Sequence, residues 1–160
     1  MGFGARTRRR GRPGTDRSTR YGRTLIIVIL IVVLTISGPL QEEVLLRGYV
    51  FRALRNSQGI WPAATTAGVL FAATHLGWIP IAYMVPVVLF GIALCLLYHW
   101  TESLYPGIAL HSLNNSIPLA AALHWTWQTP VLMAGSTLAA LAIARLIALR
   151  LGARPVAPAG

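Results

Sequence analysis

The sequence predicts an all-α protein, a polytopic transmembrane bundle of about five helices. Three observations support this fold class. Of the 160 residues, 55% are hydrophobic and only 11% are charged, with a mean hydropathy of +0.61, unlike a soluble chain of this length. Several apolar stretches approach the roughly 20 residues that a spanning helix needs. All five tryptophans fall at or just beyond proposed helix ends, as expected for a residue that prefers the membrane interface.

Positive charge is concentrated before the first helix. All fourteen basic residues are arginine, and eight of them precede residue 24. Residues 1–23 contain few apolar side chains, so we expect a disordered segment that contacts anionic lipid head groups. Aromatic residues that could stack bases do not alternate with the arginines, so the net charge of +10 does not indicate a nucleic-acid partner. Residues 24–151 are then the membrane domain, and residues 152–160 a flexible tail.

The predicted helices follow one another with short connections. The first is expected over residues 24–54, with a kink at Pro39, because proline removes a backbone donor. The segment NSQG, residues 56–59, predicts a turn, and Pro62 suits the first turn of the next helix. The remaining helices are expected over residues 62–76, 79–98, 104–123 and 130–149. We interpret the first helix as uncleaved, since no small-residue cleavage site follows it.

The arginines give conflicting indications of orientation. Those before the first helix favour a cytoplasmic N-terminus in a bacterial-type cytoplasmic membrane. With five crossings, however, Arg52, Arg55, Arg150 and Arg154 would face the opposite side, against the same rule. One segment that re-enters the membrane, or that is too short to cross it, would remove the conflict.

Two adjacent glutamates interrupt the first helix. The chain has four acidic residues, and Glu42 and Glu43 are two of them, although a charge at membrane depth is costly unless it is paired or hydrated. Glu43 and Arg47 are four residues apart and can pair along one helix face, which leaves Glu42 to face a cavity. The alternative is a buried ion network that only fixes helix packing.

Two further polar groups lie in apolar segments. Phe71 and His75 in FAATH are one helical turn apart, and so are His111 and Asn115 in HSLNN. A single histidine in a membrane helix is more often a packed core residue than a catalytic one, and the other two histidines, each beside an interfacial tryptophan, fit that interpretation.

Together these groups could converge from three helices in one hydrated pocket. A carboxylate, two imidazoles and an amide can polarise a water molecule, accept its proton and donate hydrogen bonds to an oxyanion. The same groups can bind a divalent metal such as zinc. No serine or cysteine is visibly paired with a histidine, and the HExxH motif is absent. Water-mediated hydrolysis is therefore favoured over acyl-enzyme chemistry.

The three motifs resemble those of a known family, the CPBP or Abi intramembrane proteases, which include the type II CAAX prenyl endopeptidases (Rce1-like). EEVLLR resembles the family's EExxxR, FAATH its FxxxH and HSLNN its HxxxN, in the same order and each in a membrane segment. The likeness covers residues 36–120. This chain has one helix before the first motif where family members usually have more, and Glu102 stands where a glycine is common.

The resemblance implies roles for individual residues. Glu42 would be the general base that activates water, and His75 and His111 would help to hold that water or a metal. Asn115 would be a further ligand or an oxyanion donor. Supporting or substrate-binding positions would be Glu43, Arg47 and Phe71. A divalent metal such as zinc would be held by His75, His111 and Glu42, and a metal-free water activated by glutamate is an equal alternative.

The leading functional hypothesis is therefore an intramembrane endopeptidase that cleaves a peptide bond near the membrane surface. Its partners would be membrane lipid and a peptide or lipidated protein, of the CAAX-type prenylated or the bacteriocin-related kind. One alternative is a non-catalytic membrane scaffold or immunity protein on the same fold. Another is a small ion or metal carrier, which the absence of an internal repeat disfavours. The sequence does not indicate an oligomeric state.

Overall fold

The computed structural model describes residues 13–152. In this part of the chain the regular structure is helical, apart from one isolated bridge between Leu76 and Ile79, which confirms the all-α fold class. The five helices are α1, residues 13–58; α2, Ile60–Ala73; α3, Met84–Thr101; α4, Leu104–Ala122; and α5, Gln128–Arg150. A short 3₁₀ turn, Ile81–Tyr83, leads into α3.

Helix α1 is one long helix in which π-helical turns alternate with α-helical ones. Its successive parts are α-helical Pro13–Ile31, π-helical Val32–Ser37, α-helical Gly38–Glu42, π-helical Glu43–Phe51 and α-helical Arg52–Gln58. The helix continues to Gln58, beyond the predicted end at residue 54, so residues 56–58 of the predicted turn are helical. Only Gly59 breaks the helix, with a φ of 82° that glycine adopts readily.

The structure differs from the expectation at the beginning of α1. The helix starts at Pro13 rather than near residue 24, so residues 13–23 are helical and not disordered. Arginine is a good helix former and proline suits a first helical turn, so the helix can extend outward from its apolar part. The rest of the arginine-rich segment, residues 1–12, and the tail from residue 153 onward lie outside the described residues.

Three helices are long and apolar enough to cross a membrane. Within residues 13–152 these candidate spans are Arg17–Gln58, Ile81–Thr101 and Gln128–Arg150. The first has 42 residues, so it is roughly 63 Å long and about twice as long as a hydrocarbon core is thick. With 14 residues, or roughly 21 Å, α2 is too short to cross the membrane alone. A helix that does not cross changes the number of crossings, which is one way to remove the conflict between the arginines over orientation. The orientation itself stays a prediction.

Glycines allow α2 and α3 to pack closely. A Cβ atom on Gly91 would lie 2.9 Å from the Cα atom of Gly68, so a side chain at this point would force the helices apart. Small residues at helix contacts are typical of membrane bundles, where they let backbones approach. The main buried cluster lies beside this contact and consists of Phe51, Ala63, Ala64, Ala67, Cys95 and Tyr98. The close approach places the backbone of α3 within reach of side chains from α1.

Buried hydroxyl groups join α4 to α5. Ser116 Oγ lies 3.0 Å from Ser136 Oγ, and each is also within hydrogen-bond distance of a carbonyl one turn earlier in its own helix. Since each hydroxyl has one proton, one of the two donates across to the other helix and the other donates to its own carbonyl. A second apolar cluster, Leu119, Ala120 and Leu132, packs alongside. Hydrogen bonds between membrane helices contribute about 1 kcal/mol each. These contacts hold α5 against α4, which carries the third motif.

Candidate active site

Glu43 is the centre of a buried polar network. Its Oε1 atom lies 3.0 Å from Arg47 Nη1 and 3.0 Å from His111 Nδ1, and the three side chains are at most 1% exposed. The predicted pairing of Glu43 with Arg47 is therefore confirmed. Arg47 Nη2 also donates to the carbonyl of Gly91 at 3.0 Å. The network ties α1 to α3 and α4, which brings together segments far apart in the sequence.

A glycine makes room for the Glu43 carboxylate. A Cβ atom on Gly107 would lie only 2.6 Å from Glu43 Oε2, so a larger residue there would displace the carboxylate. Gly107 precedes His111 by four residues, and the two therefore share one face of α4. That face provides both the space for Glu43 and the imidazole that binds it. Sequence analysis overlooked Gly107, although a glycine one turn before a motif histidine is a usable signal.

Glu42 lies at the opposite edge of the same imidazole. Its Oε2 atom is 3.5 Å from His111 Nε2, and its side chain is 32% exposed. Both atoms are buried, and within the described residues neither has a hydrogen-bond partner. The two nitrogens of His111 thus face the two adjacent carboxylates. Adjacent positions on the helix point the side chains of Glu42 and Glu43 in different directions, as expected. The His111 ring lies between the two carboxylates.

The ion pair between Glu43 and Arg47 selects one tautomer of His111. An ionised carboxylate can only accept a hydrogen bond, so when His111 is neutral its proton is on Nδ1, where it is donated to Glu43. His111 Nε2 then carries a lone pair that faces Glu42 Oε2, a second acceptor. Two acceptors 3.5 Å apart are satisfied by a shared donor, and a water molecule with two O–H groups meets that requirement.

His75 lies just beyond the end of α2, and the predicted helix end at residue 76 is wrong. The helix ends at Ala73, because the Phe71 carbonyl accepts from His75 Nδ1 at 2.9 Å and from Thr74 Oγ1 at 2.7 Å. Side chains here take the place of the next helical N–H groups. Because Nδ1–H is engaged in this way, the Nε2 atom of the half-buried His75 ring is the one left for chemistry.

Phe71 contacts three of the polar side chains at once. Its ring centroid lies 4.8 Å from that of His75, 5.4 Å from that of His111 and 4.9 Å from the guanidinium carbon of Arg47. Phe90 of α3 adds a tilted ring contact at 6.2 Å to Phe71 and an edge contact at 5.8 Å to His111. Aromatic contacts of this kind stabilise by about 0.5–1.5 kcal/mol each. Sequence analysis did not single out Phe90, because it lies in an unbroken apolar run.

Asn115 follows His111 by one helical turn, yet its amide is engaged with the backbone of α1. Asn115 Nδ2 donates to the Leu34 carbonyl at 2.9 Å, within the first π-helical part. The other predicted site residues are linked to one another by direct or shared contacts, and they are Glu42, Glu43, Arg47, Phe71, His75 and His111.

The donor atoms do not form a complete metal site. Catalytic zinc ions take three protein ligands and keep a fourth position open. Glu42 and His111 face each other, but in the part of the chain that the structure describes no group of three or more His, Cys, Asp or Glu side chains is arranged to hold a metal. The possible ligand set of His75, His111 and Glu42 is therefore not assembled here.

Comparison with known proteins identifies the family. The family model for "Type II CAAX prenyl endopeptidase Rce1-like" matches residues 24–117, which is more than half of the chain and includes the three motifs. No curated protein and no solved structure matches the chain. Together with the three apolar spans, the family match makes this an integral membrane protein. The chain belongs to the Rce1-like family of type II CAAX prenyl endopeptidases.

Proposed function

We propose that the protein is an intramembrane endopeptidase that hydrolyses a peptide bond near the membrane surface with a water molecule activated by Glu42. One observation carries the proposal. Glu42 Oε2 and His111 Nε2 are buried acceptors 3.5 Å apart that have no hydrogen-bond partner in the described part of the chain. Family membership supports peptide hydrolysis of the CAAX type. The substrate is a peptide or lipidated protein at the membrane, of the prenylated CAAX or bacteriocin-related class.

Exposure distinguishes the two glutamates. The Glu42 side chain is 32% exposed, whereas that of Glu43 is 1% exposed and bonded to Arg47 and His111. Only Glu42 can meet both water and a peptide without dismantling the buried network. We therefore assign the general base to Glu42 and a supporting role to Glu43, which fixes the proton of His111 on Nδ1.

Hydrolysis then proceeds by general base and general acid catalysis. A water molecule bonded to Glu42 Oε2 and His111 Nε2 transfers one proton to Glu42 as its oxygen attacks the carbonyl carbon of the peptide bond. The carbonyl electron pair moves onto the carbonyl oxygen to form a tetrahedral oxyanion. Glu42 returns the proton to the amide nitrogen, the C–N bond breaks, and a carboxylic acid and an amine leave.

His75 is suited to stabilise the oxyanion. Its Nδ1–H is engaged with the Phe71 carbonyl, so Nε2 is the ring atom left to face the substrate, and it donates only when the ring carries both protons. A donor aimed at developing negative charge is often the largest single contribution to catalysis. The Phe71 ring, which contacts both histidines, fixes the orientation of this second imidazole relative to the first.

The test is turnover of peptides by the full-length protein reconstituted in liposomes. Prenylated and unmodified peptides are compared, and the variant is Glu42→Gln, which keeps size and removes the base. Cleavage should fall at least roughly a hundredfold, while the melting temperature is retained or raised because a costly carboxylate is neutralised. Glu102→Gln, a change of the same type outside the site, is the matched control and should cleave normally.

A well-folded Glu42→Gln protein that cleaves at the normal rate would refute the mechanism. The scaffold or immunity interpretation would then take its place, with the same side chains serving only to fix helix packing.

A further inference from the structure

Pro39 removes one backbone N–H from the middle of α1. In an α-helix the N–H of residue 39 would bond to the carbonyl of residue 35, and in a π-helix to that of residue 34. The preceding residue follows the π pattern, since the N–H of Gly38 bonds to the Val33 carbonyl. Proline has no N–H, so neither the Leu34 nor the Thr35 carbonyl can be reached from position 39.

Helix α4 supplies a substitute donor to each of these carbonyls. Asn115 Nδ2 donates to Leu34 O at 2.9 Å, and Ser112 Oγ donates to Thr35 O at 2.6 Å. Residues 112 and 115 are three apart and so lie on one face of α4. The Leu34 carbonyl loses its backbone donor, because Gly38 donates to Val33 and position 39 has no N–H. A carbonyl without a donor is costly away from water, so the two side-chain bonds together favour one register of α4 on α1.

The two bonds lie one helical turn from the proposed catalytic contact on both helices. Glu43 follows Pro39 by four residues, and His111 precedes Asn115 by four. The two bonds therefore fix the rotation of α4 and its position along α1. These in turn set where the His111 ring lies relative to Glu42 and Glu43. A slip of this register would move Nε2 away from Glu42 without changing any residue of the polar network.

We infer that Asn115 is a positioning residue, which supplies the N–H that Pro39 lacks and thereby holds His111 Nε2 opposite Glu42. This differs from the oxyanion or ligand role that the family resemblance implies for Asn115. The expected change in kcat depends on the proposed function, whereas the expected change in melting temperature does not.

A double-mutant cycle between Asn115→Ala and Pro39→Ala tests the inference. Asn115→Ala alone should lower the melting temperature by about 2 °C or more. It should also lower kcat roughly tenfold with little change in KM, because the register of His111 is loosened. Alanine at position 39 restores a backbone N–H that can bond to Leu34 O. Asn115→Ala should therefore lower the melting temperature and kcat by less in the Pro39→Ala background than in the wild-type protein.

An oxyanion donor would give the opposite pattern. Removing such a donor lowers kcat without lowering the melting temperature, and a backbone N–H at position 39 restores nothing. Either an unchanged melting temperature for Asn115→Ala, or equal losses with and without Pro39→Ala, would overturn the inference. Asn56→Ala is the control, since Asn56 is an exposed asparagine near the end of α1, away from Asn115, and should remain near wild type in both measurements.

The cycle also separates this inference from the proposed function. A wild-type protein that cleaves no peptide refutes the protease proposal. The melting temperatures of the four proteins still decide whether Asn115 substitutes for the missing N–H.

Discussion

Two ion pairs made by arginines of α1 differ more in their exposure to solvent than in their N–O distance. Arg47 and Glu43 meet at 3.0 Å inside the bundle with side chains that are 0% and 1% exposed. Arg55 and Glu102 meet at 2.7 Å at the end of α1, with side chains that are 20% and 51% exposed. The shorter contact is the weaker one, because water screens it and surface pairs contribute about 0–1 kcal/mol.

The comparison shows what the buried pair does. Removing two charges from water costs several kcal/mol, so their attraction alone is poor evidence of a gain in stability. The buried pair instead fixes the tautomer and position of His111, which an apolar replacement could not do. The exposed pair links the end of α1 to the turn between α3 and α4, where Arg55 also lies 3.1 Å from His99 Nδ1 of α3.

The largest effect is expected from breaking the buried pair on one side. Arg47→Ala leaves the Glu43 carboxylate buried without its cation and removes the side-chain donor to the Gly91 carbonyl. The free energy of unfolding should fall by about 3–5 kcal/mol, measured by thermal and chemical denaturation in detergent.

The double variant Arg47→Met with Glu43→Gln removes both charges and sharpens this prediction. It should recover much of the stability that Arg47→Ala loses, yet stay poorly active because His111 is no longer oriented. Normal stability in Arg47→Ala, or full activity in the double variant, would contradict the distinction between the two pairs.

An intermediate effect is expected at Gly107. Gly107→Ala places a methyl group 2.6 Å from Glu43 Oε2, so the carboxylate must move. Overpacking of this kind costs about 1–3 kcal/mol, and peptide turnover should fall with it. Gly135→Ala is the matched control in α5, because among the described atoms nothing lies within 4 Å of the added Cβ. If both variants behave alike, the close packing against Glu43 has no consequence.

A small effect is expected at the exposed pair. Arg55→Ala and Glu102→Ala should each change the free energy of unfolding by less than about 1 kcal/mol and leave turnover intact. Glu102 has a φ of 45°, in the left-handed region that glycine adopts freely. Glu102→Gly should therefore be more stable than Glu102→Ala by about 1 kcal/mol. A loss as large as that of Arg47→Ala would show that exposure is not what separates the pairs.

The smallest effect is expected from chelators. Because the described residues assemble no group of three metal ligands, incubation with a chelator should change turnover by less than about twofold. Metal content measured by mass spectrometry on the active protein is the accompanying check. Stoichiometric zinc that is lost together with activity, and whose return restores it, would contradict this prediction.

The number and type of the helices could be predicted from the sequence, whereas some of their ends could not. Apolar runs broken by glycine, proline and tryptophan predict five helices, as found. The end of α2 at Ala73 depends on the side chains of Thr74 and His75 bonding back to one carbonyl, an interaction that hydropathy does not reveal. The π-helical parts of α1 were not predicted, because their signal lies in hydrogen bonds rather than in residue type.

The candidate site was predictable where its contacts are local. The Glu43–Arg47 pair follows from a spacing of four residues. The contact of His111 with Glu43 joins residues 68 positions apart, so no spacing rule could give it. The bond from Asn115 to Leu34, 81 positions apart, was equally hidden, although the missing N–H of Pro39 marks where a donor is needed.

The π-helical part Val32–Ser37 has a consequence for which changes of length α1 can accept. A π turn holds one residue more than the α-helix would, so deleting a single residue there returns the turn to α-helical form. Because the extra residue is taken up within the turn, the preceding half of α1 would keep its facing relative to the half that carries the glutamates. The same deletion in a regular α-helical part would rotate that half by about 100°. The outer half of the helix can therefore lose one residue at this point and still meet the same neighbours.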